Sequence, residues 1–392
     1  MRLEKAVQER EQIKWENAIF LFLITAAALL LRLDLFSIES NDYYQFLQGW
    51  FATLKENGGL AAIGMNIGDY MPPYFYILAM LTYLPGKDLF WIKIVSCVAD
   101  LVLAFYVMRI VDLRYRGRPH GLMAYAAVLF LPSVFLNSAA WGQCDAMFTA
   151  ALVACLYYLL VDRPNRAVLA FAISFVLKLQ AVFFAPFLLL LFMKRKVKAQ
   201  SLILIPAVYI LSIIPAAIMG RDLWDLLTVY VSQSKLYTSL CMSIPNLYAF
   251  LGNVASDPVS KAGVIFAGGV ILMLLFVLYR KQFAITPDIL VTMALLFAIL
   301  MPFVLPHMHE RYYYLADVVS IIFAFYFPKK LYAAVIMCVS SACAVSNYLF
   351  GLAYYPQQFL ALAVLVNLVL LFKHLLDLIS RNPVEARLEA AA

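Results

Sequence analysis

Residues 37–51 read SIESNDYYQFLQGWF and residues 68–81 read GDYMPPYFYILAML, between the apolar runs at 15–35 and 89–109. Whether the second of these stretches crosses a membrane decides the sidedness of everything after it. PPYFYILAMLTYL (72–84) offers 13 residues, whereas a helical span takes about 20. It opens with Pro72 and Pro73, which suit the first turn of a helix. If it crossed, the Arg-rich stretch 109–120 would fall outside the cell, against the positive-inside rule. The expectation is therefore one extracytoplasmic loop, 36–88, with 43–55 and 72–84 as helices on the outer membrane surface. Their aromatic side chains would sit at headgroup level.

The rest of the chain supports that reading. Of 392 residues, 65% are hydrophobic and 14% charged, with a mean hydropathy of +0.86. A soluble domain cannot hide so much apolar surface, and long unbroken runs imply helices rather than a barrel. Lys and Arg gather in the N-terminal tail, at 109–120, 162–166 and 194–198, at Arg280–Lys281 and Lys329–Lys330, and in the C-terminal tail. Placing all of these in the cytoplasm puts spans near 15–35, 89–109, 119–136, 144–161, 200–219, 260–279, 284–304, 313–327, 331–350 and 357–377. The 28 residues of 166–193 must leave and return between two basic patches. Two full spans need about 40. A pair of short helices or a re-entrant hairpin is expected, its apex near Lys178 and Gln180.

The fold class expected is thus an all-α membrane protein, one membrane domain over 1–392, with about twelve membrane helices and both termini cytoplasmic. The charged N-terminus, MRLEKAVQEREQIKWEN, has no small-residue cleavage site after a short apolar core and does not read as a cleaved signal. The net charge of +7 follows topology and implies no nucleic-acid partner. The six cysteines lie mostly in apolar runs, without a CxxC pair. No N-x-S/T sequon occurs, which points to a bacterial cell membrane rather than the endoplasmic reticulum.

Five groups of polar residues stand out against this background. Asp42 opens the first surface helix, where a carboxylate serves as a helix cap or as a base toward an incoming hydroxyl. Asp69 and Tyr70 precede the paired prolines, in a turn that also suits a cap. Trp141, Gln143 and Asp145 enter a helix from the outside. Lys178 and Gln180 lie at membrane depth, where an ionisable group is costly; Lys178 is either functional or the partner of an acid such as Asp100. The densest cluster is His307, His309, Glu310 and Arg311. Its HxH lacks a third metal ligand at suitable spacing, so no metal or other cofactor is expected, and Arg311 with the imidazoles suits a phosphate or diphosphate. A base, cations and aromatics on one outward-facing cavity suit a reaction with a lipid phosphate as leaving group.

Four of these segments, in this order, resemble the GT-C superfamily of membrane glycosyltransferases. The likeness is to the dolichyl-phosphate-glucose-dependent glucosyltransferases of asparagine-linked glycosylation and to bacterial relatives of the GPI-anchor mannosyltransferases. Asn41-Asp42-Tyr43 through Trp50 resembles their first acidic loop motif, and Asp69-Tyr70-Met71-Pro72-Pro73 their D-Y-P-P with one residue inserted. Lys178-Leu179-Gln180 through Pro186 is similar to their K-Q step, and His307-Met308-His309-Glu310-Arg311 to their H-V-H-E-K. The Trp141–Asp145 element resembles the bacterial mannosyltransferase group. The likeness covers about 40–320, with transferase-type helices over 89–320; the C-terminal helices in 321–392 carry nothing diagnostic. The Glu and Arg-His that follow the family's first acidic Asp are missing here, and Arg311 replaces a Lys.

The resemblance implies a GT-C fold and an inverting transfer of a hexose from a polyprenyl-phosphate-linked monosaccharide donor at the outer face of the bilayer. Asp42 would be the general base toward a hydroxyl of a glycan or lipid-linked saccharide acceptor. Lys178, His307, His309 and Arg311 would hold the departing phosphate, and Asp69 and Asp145 would bind sugar or acceptor hydroxyls. The rival expectation is a transporter or flippase of a lipid-linked saccharide, which would share the buried Lys178 and the bilayer-level cavity. Against it stand the absence of an inverted repeat and the long first outer loop.

Overall fold

Apolar runs in lipid must satisfy their own backbone polar groups, and helices do so within one segment. The computed structural model describes residues 2–252 and 254–383, with side chains from Trp15 onward. The tail 384–392 and the side chains of the N-terminal basic residues, both expected in the cytoplasm, lie outside the described residues. Among the described residues, seven helices are long and apolar enough to cross a membrane. They are Trp15–Ser37, Asp88–Arg114, Ala199–Ile218, Asp257–Arg280, Pro287–Val304, Tyr332–Phe350 and Gln357–Ser380. A bent pair, His120–Leu129 and Pro132–Trp141, makes an eighth if taken as one span.

The expected spans at 144–161 and 313–327 are shorter apolar helices, Asp145–Leu160 and Tyr314–Tyr326, and the pair expected over 166–193 is Pro164–Leu177 and Leu179–Met193. A helix enclosed by neighbours is apolar all round, as is one facing lipid, so hydropathy does not separate the two. Burial does. Pro287–Val304 has 83% of its apolar window inside the protein, against 11% for Trp15–Ser37. The former is a central helix, with Asp145–Leu160 and Tyr314–Tyr326 packed on it.

The break expected at Lys178 is present: Pro164–Leu177 ends there, and Lys178 itself is extended (φ −157°, ψ 138°) before the 3-10 turn Leu179–Phe184. The bend of 49° in the other pair falls just before Pro132. Proline has no N–H to give to the preceding turn and its ring clashes with it, so the helix restarts in a new direction.

Within 36–88 both expected helices are present, and several of their aromatic residues pack on one another. Residues 43–56 form a π turn followed by the helix Gln48–Glu56, and Pro72–Leu81 forms a second helix. Tyr74, Phe75, Leu78 and Ala79 are buried against Tyr43, Leu47, Phe51 and Leu54. Trp50 lies edge-on to Tyr70 and Phe75 at 5.4 Å. Much of this aromatic surface faces inward as a small second core, where buried rings each remove some 150–250 Å² from water. Gly68 is fixed by that packing, since a Cβ there would stand 2.5 Å from Trp50 Nε1.

The helix Asp88–Arg114 joins the two ends of the molecule. Its 27 residues span about 40 Å. At its start Tyr43 hydrogen-bonds Asp88 (3.0 Å), and at its end Arg114 pairs with Asp288 (2.6 Å). The segment 36–88 therefore sits far from the Arg114 end. Clefts of 640 Å³ and 600 Å³ open among Arg163, Arg166 and Lys198, and among Arg114 and Arg116.

Candidate functional site

The site is assembled from seven separate parts of the chain. Local backbone chemistry explains why each points where it does. After the bend at Pro132 the chain enters a π turn, Leu136–Trp141, which ends at Gly142 in the left-handed region (φ 77°). Glycine takes that conformation without the penalty other residues meet. The turn is closed by Gln143 N–H donating to Asn137 O at 2.9 Å. As a result Asn137, Trp141 and Gln143 all project toward Asp42 and Asp145.

Asp42 is 7% exposed. It does not cap its helix; that bond is made by Ser40, whose Oγ accepts from Tyr43 N–H at 3.2 Å while donating to Trp141 O at 2.9 Å. Oδ2 of Asp42 accepts from Trp141 Nε1 at 3.0 Å and from Gln143 Nε2 at 2.6 Å. Oδ1 accepts from the hydroxyl of Tyr348. The nearest cation, Arg311 Nη1, is 3.6 Å from Oδ2.

Asp145 and Lys178 form a buried pair, Nζ to Oδ1 2.5 Å, and each side chain is at most 2% exposed. Oδ2 of Asp145 accepts from Asn137 Nδ2 at 2.7 Å and lies 3.5 Å from Arg311 Nε. Lys178 therefore pairs with Asp145 and not with Asp100, the partner considered from the sequence. Asp100 is held at 2.9 Å by Arg32 and at 2.6 Å by Ser138. Lys178 Nζ also lies 5.5 Å from the centre of the Tyr70 ring, a cation–π contact.

The HMHER segment is placed by a two-residue parallel ladder, Cys241–Met242 against Met308–His309. This ties the segment between the helices Leu223–Gln233 and Asp257–Arg280 across the site. Arg311 reaches Glu310 (3.3 Å) as well as Asp42 and Asp145. Burial acts to lower its basicity, but Asp42, Asp145 and Glu310 outweigh it, so the guanidinium is held well above its usual range. Three carboxylates thus share Arg311 and Lys178. His309 is enclosed between Tyr237 (ring centres 4.4 Å) and Tyr312 (5.2 Å), and its Nε2 has no hydrogen-bond partner. Burial pushes its pKa down, partly offset by Glu310.

Two cavities meet at Asp69, Tyr70, Tyr237 and Arg311. One, of 130 Å³, is lined by Asp42, Gln143, His309 and Tyr348. The other, of 250 Å³, is bordered by Gln180, Phe183, His307 and Tyr312. Burial raises the pKa of Asp69, against its own backbone N–H, Lys178 and Arg311. The structure thus brings together all the residues singled out in the sequence, with one qualification at His307. Its Nδ1 meets Ser239 O at 2.8 Å and its Nε2 meets the hydroxyl of Ser260 on the helix Asp257–Arg280, so both nitrogens are spent on holding neighbouring segments. That differs from the anion-binding role expected from sequence, because neither nitrogen is free to donate.

Three participants were not anticipated: Asn137, Tyr237 and Tyr348. Tyr348 comes from the C-terminal region expected to hold nothing diagnostic. No local motif marks it; the signal was only a tyrosine near the end of an apolar helix. No protein-family model matches this sequence, and no curated protein matches it significantly.

Proposed function

We propose that the protein is an inverting membrane glycosyltransferase, moving a hexose from a polyprenyl-phosphate-linked donor to a hydroxyl of a glycan or lipid-linked saccharide at the outer face of a bacterial cell membrane. The observation that carries this reading is the setting of Asp42. It is a carboxylate on a cavity wall, fixed by neutral donors on Oδ2 and one hydroxyl on Oδ1, with its nearest cation at 3.6 Å. Neutral donors orient a carboxylate while leaving it able to accept a proton.

In the proposed step the acceptor hydroxyl attacks the anomeric carbon from the face opposite the lipid phosphate. The new C–O bond forms as the bond from that carbon to phosphate breaks, and the electron pair leaves with the phosphate. The hydroxyl proton passes to Oδ1 of Asp42. The phosphate gains one negative charge in the process, and Arg311, which borders both cavities, is the cation placed to meet it. The free Nε2 of His309 is a further donor in its Nε2-protonated tautomer. Lys178 acts through Asp145, which it neutralises so that Arg311 is less fully engaged.

The test uses purified protein, radiolabelled polyprenyl-phosphate hexoses as donors and a bacterial lipid extract as acceptor, with and without chelator. Transfer by the wild type that collapses in Asp42→Asn supports the reading. If no donor is consumed while reconstituted protein moves a lipid-linked sugar across vesicles, the transferase reading fails and the flippase replaces it.

A further inference from the structure

The smaller cavity does not hold a sugar ring together with a second substrate. Its 130 Å³, even with the 250 Å³ of the cavity it meets, reaches only the lower part of the range of about 300–1,000 Å³ typical of a single ligand site, so seating two substrates side by side requires a wall to move. Tyr348 lines the smaller cavity and is held there by one ring contact and one hydrogen bond. Its ring stacks on Trp141 (centres 4.7 Å apart, planes 21° apart), and its hydroxyl makes one hydrogen bond, to Asp42 Oδ1. The helix that carries it ends two residues later at Phe350, and residues 351–356 are all exposed.

The place Tyr348 fills is already specified chemically. One face of an indole is covered by a flat six-membered ring, and a hydroxyl on that ring donates to a carboxylate. Oδ2 of Asp42 already receives two donors, at 2.6 Å and 3.0 Å, so a hydroxyl that is to surrender a proton must come to Oδ1. A pyranose presents the same pair of features, a C–H face that packs on an aromatic ring and equatorial hydroxyls at its edge. A flexible serine or threonine side chain presents only the hydroxyl.

We propose that the face of Trp141 and Oδ1 of Asp42 form a pyranose subsite that Tyr348 occupies in this structure, and that the acceptor sugar displaces Tyr348 to bind there. Calling this sugar the acceptor rests on the transferase reading; the subsite itself does not. Tyr348 is then a competitor for the site, and its hydroxyl is exchanged for that of the sugar.

The experiment measures binding of methyl glucoside, methyl mannoside and methyl galactoside to the full chain in sugar-free phospholipid nanodiscs by calorimetry. Wild type is compared with Tyr348→Phe, which keeps the ring and removes the bond to Asp42, and with Tyr348→Leu, which removes the stack. At least one glycoside is expected to bind about tenfold more tightly to one or both variants, the worth of one hydrogen bond no longer broken. Asp42→Asn is expected to weaken that binding in either background. If neither variant binds any of the three more tightly than wild type, whether because all bind equally or because none binds, Tyr348 is a fixed part of the wall and the subsite is overturned. Tighter binding by a variant, in protein that transfers no hexose from any polyprenyl-phosphate donor, keeps the subsite and removes the transferase reading.

Discussion

Lys178 places its Nζ 2.5 Å from Oδ1 of Asp145, and both side chains are almost fully enclosed. Removing one partner of such a pair strands a charge, a loss of about 3–5 kcal/mol, whereas replacing both by neutral groups of similar volume is often tolerated. Lys178→Met is therefore expected to lower the thermal unfolding temperature in detergent sharply. Asp145→Asn should lower it further, because Lys178 is left with only ring contacts, such as that to Tyr70, and Arg311 loses a carboxylate, whereas in Lys178→Met the Asp145 carboxylate keeps Arg311 and Asn137. The double variant should recover most of the loss. A loss in the double variant equal to the sum of the two single losses would show that the pair is not coupled.

Asp42→Asn preserves an acceptor for Trp141 and Gln143 and removes only the ability to take a proton. Hexose transfer is expected to fall about 10²–10⁴-fold, in keeping with the loss of a general base. The unfolding temperature should stay near that of wild type, since Arg311 retains Asp145 and Glu310. A fall in activity that tracks a fall in folded protein would instead make Asp42 a structural residue.

How far the sequence carried the reading can be judged residue by residue. Asp42, Asp69, Trp141, Lys178 and Arg311 were legible because each is a polar or aromatic exception in an apolar setting, and such exceptions are costly unless used. The split at Lys178 was legible from length alone. The number of spans was not, because Asp145–Leu160 and Tyr314–Tyr326 are enclosed by other helices and look to hydropathy like lipid-facing ones. Tyr348 was not legible either. Its partner lies 306 positions away, and nothing local distinguishes it from a tyrosine at a membrane interface. The inward packing of Tyr74 and Phe75 was not legible for a related reason: an aromatic helix on a membrane surface and one on a small core share a composition.

Gly142 tests the backbone side of the same site. A Cβ there would have room, its nearest neighbour being Leu89 Cδ1 at 3.5 Å, so any effect of Gly142→Ala comes from the positive φ rather than from crowding. The left-handed conformation costs a non-glycine residue about 1–2 kcal/mol. Relaxing it would turn Gln143 away from Asp42. Transfer should therefore fall by more than the loss of stability explains, and Gly142→Asn, which tolerates that region better, should restore part of it. An alanine variant with wild-type kinetics would separate the turn from the chemistry.

The pH dependence of stability follows from His309 and Asp69, which act in opposite senses. Burial depresses the His309 pKa in the folded protein. Below the ordinary value of about 6.5 the unfolded chain takes a proton that the folded one refuses. Stability is then lost as pH falls from about 6.5 through the folded value, the unfolded state binding more protons. His309→Asn should flatten that part of the curve. Asp69 is raised by burial, so the folded state takes up its proton first as pH falls. Between the raised value and the ordinary one of about 3.9, acid favours the fold at this position. Asp69→Asn should remove that compensation, leaving a steeper net loss on acidification than in wild type while raising stability at neutral pH. Unfolding temperatures of the three proteins between about pH 3.9 and about pH 6.5, the interval bounded by the two ordinary values, measure both slopes. A His309→Asn curve that parallels wild type below pH about 6.5 would mean that the buried imidazole takes its proton as readily in the fold as in the unfolded chain.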